Sequence, residues 1–232
     1  MNQPSTDRIE PTSRTRLRRI AGRGVFDRAT MYEILDEALI CHVGFVEDGQ
    51  PFVIPMIHAR MGDRLLLHGS PGSRMLTRLR AGEPFSVTVT ILDGLVLARS
   101  LMHHSVNYRS VVILAKAAEV TGREEKRTAL NALTEHVVPG QWDHARRPSD
   151  KELDATMVLS LPLDEMSAKI RTGPPIDEPA DYELPVWAGV IPLSLTPGAP
   201  QPDPKLAPGT SVPQHIVNWR RSKLAGTRLS PR

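Results

Sequence analysis

"ICHVGFVEDGQPFVIPMIHAR", residues 40–60, decides how this chain folds. "ICHVGFV" (40–46) is apolar, β-branched and aromatic, the composition of a strand. "EDGQ" (47–50) places Asp-Gly at the centre of a hairpin turn. "PFVIPMIHAR" (51–60) is the returning strand. Pro55 removes a backbone donor inside it, so the strand has an edge or a bulge there.

Upstream, Asp27 reads as a helix N-cap, and Met31, Ile34, Leu35, Ala38 and Leu39 fall on one helical face. Downstream, "MGD" turns into the strand "RLLLHGS" (64–70). The small residues Gly69, Ser70, Pro71 and Gly72 then lead into a short helix, "SRMLTRLRAG" (73–82), ended by Gly82. "FSVTVTI" (85–91) alternates Phe85, Val87, Val89 and Ile91 with Ser86, Thr88 and Thr90, as a half-buried antiparallel strand does. "LVLARS" (95–100) and "YRSVVILAKAAEV" (108–120) are further strands. "REEKRTALNALTEHVV" (123–138) is an amphipathic helix. "DKELDATMVLSLPL" (150–163) begins as a helix and ends as a strand. "SAKIRTG" and "LPVWAGVIPLSL" are two more strands. Many short strands, hairpin turns and few helices give a mainly β fold, an antiparallel barrel with peripheral helices.

Three segments are expected. Residues 1–22, with "RTRLRR" at 14–19, read as a mobile basic arm. Residues 23–195 form the barrel domain. Residues 196–232 form a Pro-rich extended tail with a basic end; twelve of the 21 prolines follow residue 173. The first 28 residues hold seven Arg against three acids, and the last 19 hold five basic residues and no acid, so the body between them is mildly acidic. No aromatic residues interleave with the basic ones as stacking platforms for bases would require, so no specific nucleic-acid site is expected. The rival reading, nucleic-acid binding through the basic ends, would show as affinity that falls with salt.

Hydrophobic residues make up 40% of the chain, enough for a core. No run of 18 apolar residues is present, and no apolar stretch follows the polar amino terminus, so neither a membrane span nor a secretory signal is expected. The single cysteine, Cys41, excludes an intrachain disulfide and a Cys-based metal cluster, and a cytoplasmic location follows. His103 and His104 would point to opposite faces of a strand and have no third ligand at useful spacing, so no metal site is expected. One of the pair could face a cofactor as a proton donor, or both could be loop residues.

The order of a helix, "CHVGFVEDGQPFVIPM", "LLLHGSPGSRM", an alternating strand and "HHSVNYRSVVILAKA" resembles the pyridoxamine 5′-phosphate oxidase-like FMN-binding split-barrel family. "SAKIRTGPP" and "LPVWAGVIPL" make it most similar to the flavin-nucleotide-binding subgroup related to nitroimidazole-resistance reductases. The resemblance covers roughly residues 20 to 195. It implies a split β-barrel of Greek-key type, a homodimer, and one FMN in each of two interface clefts. In that likeness Ser73 and Arg74 match the phosphate-binding turn, while Met75 stands where the family has Lys. Gly69 and Ser70 belong to the same turn. Ile54, Pro55, Met56 and Ile57 match the strand that runs along the isoalloxazine ring. Leu67 and His68 match positions beside the ribityl or pyrimidine part. Arg109 and Ser110 align with a polar flavin contact, Ser110 replacing a Gln, and Trp187 resembles a Trp that packs by the flavin. Read without the likeness, the same residues describe a bulged strand, a strand-end histidine, a solvated Arg and a core Trp.

The resemblance implies an FMN-dependent oxidoreductase that moves electrons from NAD(P)H or a small substrate. The rivals are a non-catalytic flavin carrier or sensor, and the same barrel holding haem or a deazaflavin. Basic residues that would bind pyridoxal phosphate are absent from "AGVIPLSL", so pyridoxamine phosphate oxidation is not expected. The partners implied are a second copy of the chain and a small-molecule electron donor or acceptor, with no membrane.

Overall fold

The computed structural model describes residues 7–220. Residues 1–6 of the expected arm, and the basic residues Arg221, Lys223, Arg228 and Arg232 of the tail, lie outside the described residues.

Asp48 and Gly49 have φ of 50° and 78°, the left-handed pair of a type I′ turn. This turn joins β2 (Ile40–Glu47) to β3 (Gln50–Met61), paired from Glu47↔Gln50 to Ile40↔Ile57. β3 outruns its partner. Its last residues, His58 to Met61, pair on the other edge with β4 (Arg64–Gly69). The chain does not continue as a meander. β5 (Phe85–Leu97) returns to lie beside β2, with His42 opposite Thr88, which is a Greek-key step.

β6 (Ser105–Ala115), β9 (Met166–Arg171) and β1 (Gly24–Val25) extend the sheet beyond β5. β8 (Met157–Pro162) and β7 (Ala118–Glu119) extend it beyond β4. β10 (Gly189–Pro192) pairs with the far end of β5. The order is β1-β9-β6-β5-β2-β3-β4-β8-β7, and the sheet does not close. It is the antiparallel split barrel the sequence pointed to.

The helices are α1 (Arg28–Glu37), α2 (Arg74–Arg80), α3 (Arg123–Val137), α4 (Gln141–His144), α5 (Asp150–Asp154) and α6 (Gln214–Val217). Asp27 caps α1 by accepting from the Thr30 N–H at 2.8 Å, and the helix buries Met31, Ile34 and Leu35. The barrel core joins these to Cys41, Val43, Phe45, Leu65, Leu67, Phe85, Val87, Val89, Val111 and Ile113. A second cluster packs Ala129 and Leu133 of α3 on Ala59, Leu66 and Val158.

Two runs are divided differently from expectation. "LVLARS" is not a separate strand: β5 continues through a bulge between Leu92 and Gly94, which absorbs the break in alternation. "YRSVVILAKAAEV" is two strands, because β6 pairs with β5 while β7 pairs with β8 in the other half of the barrel.

The arm differs more. Ile9 is 5% exposed and its N–H donates to the Phe26 carbonyl at 2.9 Å. Thr12 donates to Glu165 at 2.6 Å, and the Arg14 guanidinium binds the same carboxylate through two nitrogens. From Asp7 onward the segment is therefore fastened to the barrel. One buried isoleucine carries no periodicity, which is why the sequence reads as an arm. Arg14 and Thr12 hold the Glu165 carboxyl below the usual carboxylate range. That fastening is present above the ordinary carboxylate pKa and is lost as pH falls through the lowered one. Deleting residues 1–20 is expected to destabilise the chain by about 2 kcal/mol, the scale of burying one isoleucine. A urea-unfolding midpoint equal to that of the full chain would show that the segment only rests on the surface.

Candidate functional site

The hairpin sets which groups β3 offers. In a two-residue hairpin Glu47 and Gln50 form a hydrogen-bonded pair, and such pairs then alternate along the strands. Phe52, Ile54 and Met56 thus bond to β2. Val53 and Ile57 turn their N–H groups, and Pro51, Val53 and Pro55 their carbonyls, to the opposite edge. Among the described residues no strand pairs with that edge between 50 and 57. Pro51 and Pro55 fall where a missing N–H leaves the β2 ladder intact, so Pro55 marks an edge.

The end of β4 and the turn after it supply the second wall. Leu67 is buried in the barrel core. His68 is partly buried; burial lowers its pKa, and its Nδ1 is buried with no hydrogen-bond partner. A Cβ on Gly69 would stand 2.8 Å from Leu76 Cδ1, so a larger residue there would have to push the Leu76 side chain aside. The Ser70 hydroxyl accepts from the Gly72 N–H at 3.2 Å, and Ser73 caps α2. Met75 is 3% exposed, a core residue.

Arg74 lies at the rim. Its guanidinium carbon is 4.5 Å from the Phe52 ring centroid, and Nη1 is 2.8 Å from Glu47 Oε2. Glu47 and Phe52, which the sequence reading did not single out, fix this side chain. The hairpin turn was visible, but its contact with a helix 27 residues later has no local signature.

Three expected contacts do not join this wall within one chain. Arg109 is committed elsewhere: it binds Glu37 at 2.6 and 2.9 Å and Asp93 at 2.7 and 2.9 Å, and these carboxylates raise its pKa. The Ser110 hydroxyl donates to the Val89 carbonyl at 2.9 Å and sits 3.0 Å from the Thr90 hydroxyl, with β5 and β2 between it and β3. Trp187 is no core residue; it is 66% exposed beside β10, at the end of β5 remote from the hairpin.

The eight histidines sort by their partners. Nε2 of His58 meets the Leu35 carbonyl at 3.0 Å, and Nε2 of His136 meets the Ala38 carbonyl at 2.8 Å. Nε2 of His215 meets Gln141 at 3.0 Å, while Nδ1 of His104 accepts from the Ala98 N–H at 3.0 Å. His144 stands edge-on to His215. Ligand atoms of His103, Asp177 and Asp181 lie within 4.8 Å of one another. Asp177, however, already accepts from the Arg99 N–H, the Ser100 N–H and the Arg99 guanidinium, so the cluster holds a loop together. His42 differs from all of these: it is exposed on the outer sheet face, opposite Pro55 and Thr88 and beside Ile40.

A cleft of about 760 Å³ opens at the hairpin end of the barrel, lined by Gly44, Phe45, Phe52, Val53, Phe85 and Lys116 among others. It contains none of the residues expected at a flavin, so size alone does not mark the site; the unpaired edge and the charged turn do. A family model described as pyridoxamine 5′-phosphate oxidase matches residues 27–170. This chain belongs to that family. No curated protein matches the chain.

Solved structures place the family member more finely. The flavocytochrome Anf3 from Azotobacter vinelandii is 38% identical, with 90% of this chain and 98% of that one covered and a TM-score of 0.86. The FAD and haem binding protein from Mycobacterium smegmatis is 37% identical, with 84% and 96% covered and a TM-score of 0.81. A protein assigned to 5-nitroimidazole antibiotic resistance, from Bacteroides thetaiotaomicron, is 25% identical, with 63% and 86% covered and a TM-score of 0.55.

Proposed function

We propose that this chain is a cytoplasmic flavin-dependent oxidoreductase that carries FAD and haem and draws electrons from NAD(P)H. The observation that carries the reading is the unpaired β3 edge facing a small-residue turn that ends in one fixed arginine. The residues fit a flavin nucleotide: the edge leaves the Val53 and Ile57 N–H groups for a ring's carbonyls, and His68 has an orphaned ring nitrogen beside it. Arg74 supplies the planar fork that suits a phosphate oxygen pair. The family likeness pointed to FMN. Likeness to an FAD-binding relative at 37% identity, and the replacement of a Lys by the buried Met75, favour the dinucleotide.

The haem part of the proposal is supported by two relatives, 38% and 37% identical, described as a flavocytochrome and as an FAD and haem binding protein. His42 is the imidazole that would hold its iron, since it stands exposed on the outer sheet face beside Ile40, whereas His58, His104, His136 and His215 bond to backbone or side chains and His103 sits in a charged loop. When bound, flavin supplies hydride and single-electron transfer, and haem single-electron transfer. The chain's own part is to hold and orient these groups and to keep water from them.

The outer face of β3, β2, β5 and β6 exposes Ile40, Val46, Val53, Ile57, Leu92 and Val112. An apolar patch spread over four strands is the surface of an interface, and its proposed occupant is a second copy of the chain. Light scattering is expected to give twice 25.6 kDa, and Val112→Arg to give the monomer. A folded monomer of the unaltered chain would sink this assignment.

The functional reading is tested by the absorption spectrum of the purified chain, with mass analysis of what acid releases. Flavin bands with a Soret band are expected, NAD(P)H should bleach the flavin, and His42→Ala should remove the Soret band while leaving the flavin. A colourless protein that takes up no added flavin would overturn the reading. Flavin that NAD(P)H does not reduce would make it a carrier or sensor.

A further inference from the structure

The rim that holds Arg74 is not basic. Glu47, with 15% of its side chain exposed, binds Arg74 at 2.8 Å and Arg78 Nε at 3.1 Å. Arg78 also binds Glu83 at 3.0 Å and meets Asp48 at 3.5 Å. Arg80 is turned to Glu119 at 3.8 Å. Two guanidinium groups therefore face three carboxylates, and Arg74 is the one cation of the group with most of its side chain, 56%, open to solvent. A phosphate arriving at Arg74 meets a cation already shared with a carboxylate.

We infer that Glu47 makes this rim select the singly charged phosphates of a dinucleotide diphosphate, whose two charges are spread over two groups, over the doubly charged terminal phosphate of a mononucleotide. The inference rests on the flavin reading above and refines it, because it names the residue that chooses between FAD and FMN. The physical basis is charge. A terminal phosphate monoester carries about −1.5 to −2 at pH 7, its second pKa lying near 6. Each phosphate of a dinucleotide diphosphate carries one charge. A fixed carboxylate a few ångströms away repels the doubly charged group more than the singly charged one, by an energy that falls with distance and with exposure to water. Stacking on Phe52 holds the guanidinium in place in either case, so geometry stays constant while charge varies.

The test uses the full chain stripped of flavin and titrated with FAD, FMN and riboflavin. The unaltered chain is expected to prefer FAD to FMN by about tenfold, the scale of one charge contact at a partly exposed site. Glu47→Gln keeps the acceptor oxygen and removes the charge. It should narrow that preference several-fold through tighter FMN binding, with riboflavin unchanged. A second readout needs no variant: between pH 7.5 and 5.5 the FMN phosphate gains a proton, so the preference of the unaltered chain for FAD should shrink. An FAD-to-FMN ratio that is flat in pH, or a Glu47→Gln chain in which both nucleotides weaken together, would overturn charge selection while leaving flavin binding intact. Failure to bind any flavin would instead remove the underlying reading.

Discussion

Arg109→Ala is expected to cost about 3 kcal/mol of stability, toward the lower end of what breaking a buried ion pair costs, since this group keeps some solvent. For a chain of this length that lowers the melting temperature by roughly 10 °C. The guanidinium is 14% exposed and makes four hydrogen bonds, two to Glu37 at the end of α1 and two to Asp93 in the β5 bulge. Removing it leaves two mostly covered carboxylates without their shared cation, one of them at a helix C-terminus where negative charge is already disfavoured. Arg109→Lys should recover little, because one ammonium cannot face both carboxylates with paired bonds. Neutralising all three together, as Arg109→Leu with Glu37→Gln and Asp93→Asn, should recover most of the loss. Flavin affinity measured below the melting transition should not change. If affinity falls and stability holds, the residue belongs to the cofactor and the staple is incidental.

Arg74→Ala should leave the fold intact and weaken FAD by one to two decades. A charge-assisted hydrogen bond contributes about 1.5–3 kcal/mol, and about 1.4 kcal/mol is one decade. Riboflavin has no phosphate and should bind both proteins alike. Arg74→Lys should restore part of the affinity, since a point charge still attracts phosphate but has no fork. Equal loss of FAD and riboflavin would mean that the side chain shapes the turn and holds no anion.

The elements of this fold were legible wherever the pattern is local. The Asp-Gly turn, the alternation of Phe85 to Ile91 and the face of α1 each sit within a dozen residues, and each appears in the structure. The site was half legible. Pro55 announced an edge or a bulge and Ser73 the start of a helix, because backbone geometry constrains those residue types. The placement of Arg109 was not, since an arginine on a strand looks the same whether it faces a ligand or two carboxylates from α1 and a bulge. Glu47 and Ile9 were missed for a related reason. Their partners, Arg74 and the Phe26 carbonyl, become neighbours only once the barrel has formed.

Residues 193–213 run almost wholly exposed from β10 to α6, and among the described residues the chain is fastened again where the Trp219 indole donates to the Val137 carbonyl at 2.7 Å and where His215 meets Gln141 and the edge of His144. A few such contacts are weak for a free peptide. The covalent tether keeps the two surfaces at an effective concentration in the millimolar range, so a marginal contact stays closed. Cutting that tether once, anywhere between 196 and 212, turns an intramolecular contact into an ordinary dilute one. A single proteolytic nick is expected to release the end of the chain into solution, seen as a red shift of Trp219 emission, while the barrel still unfolds at its original temperature.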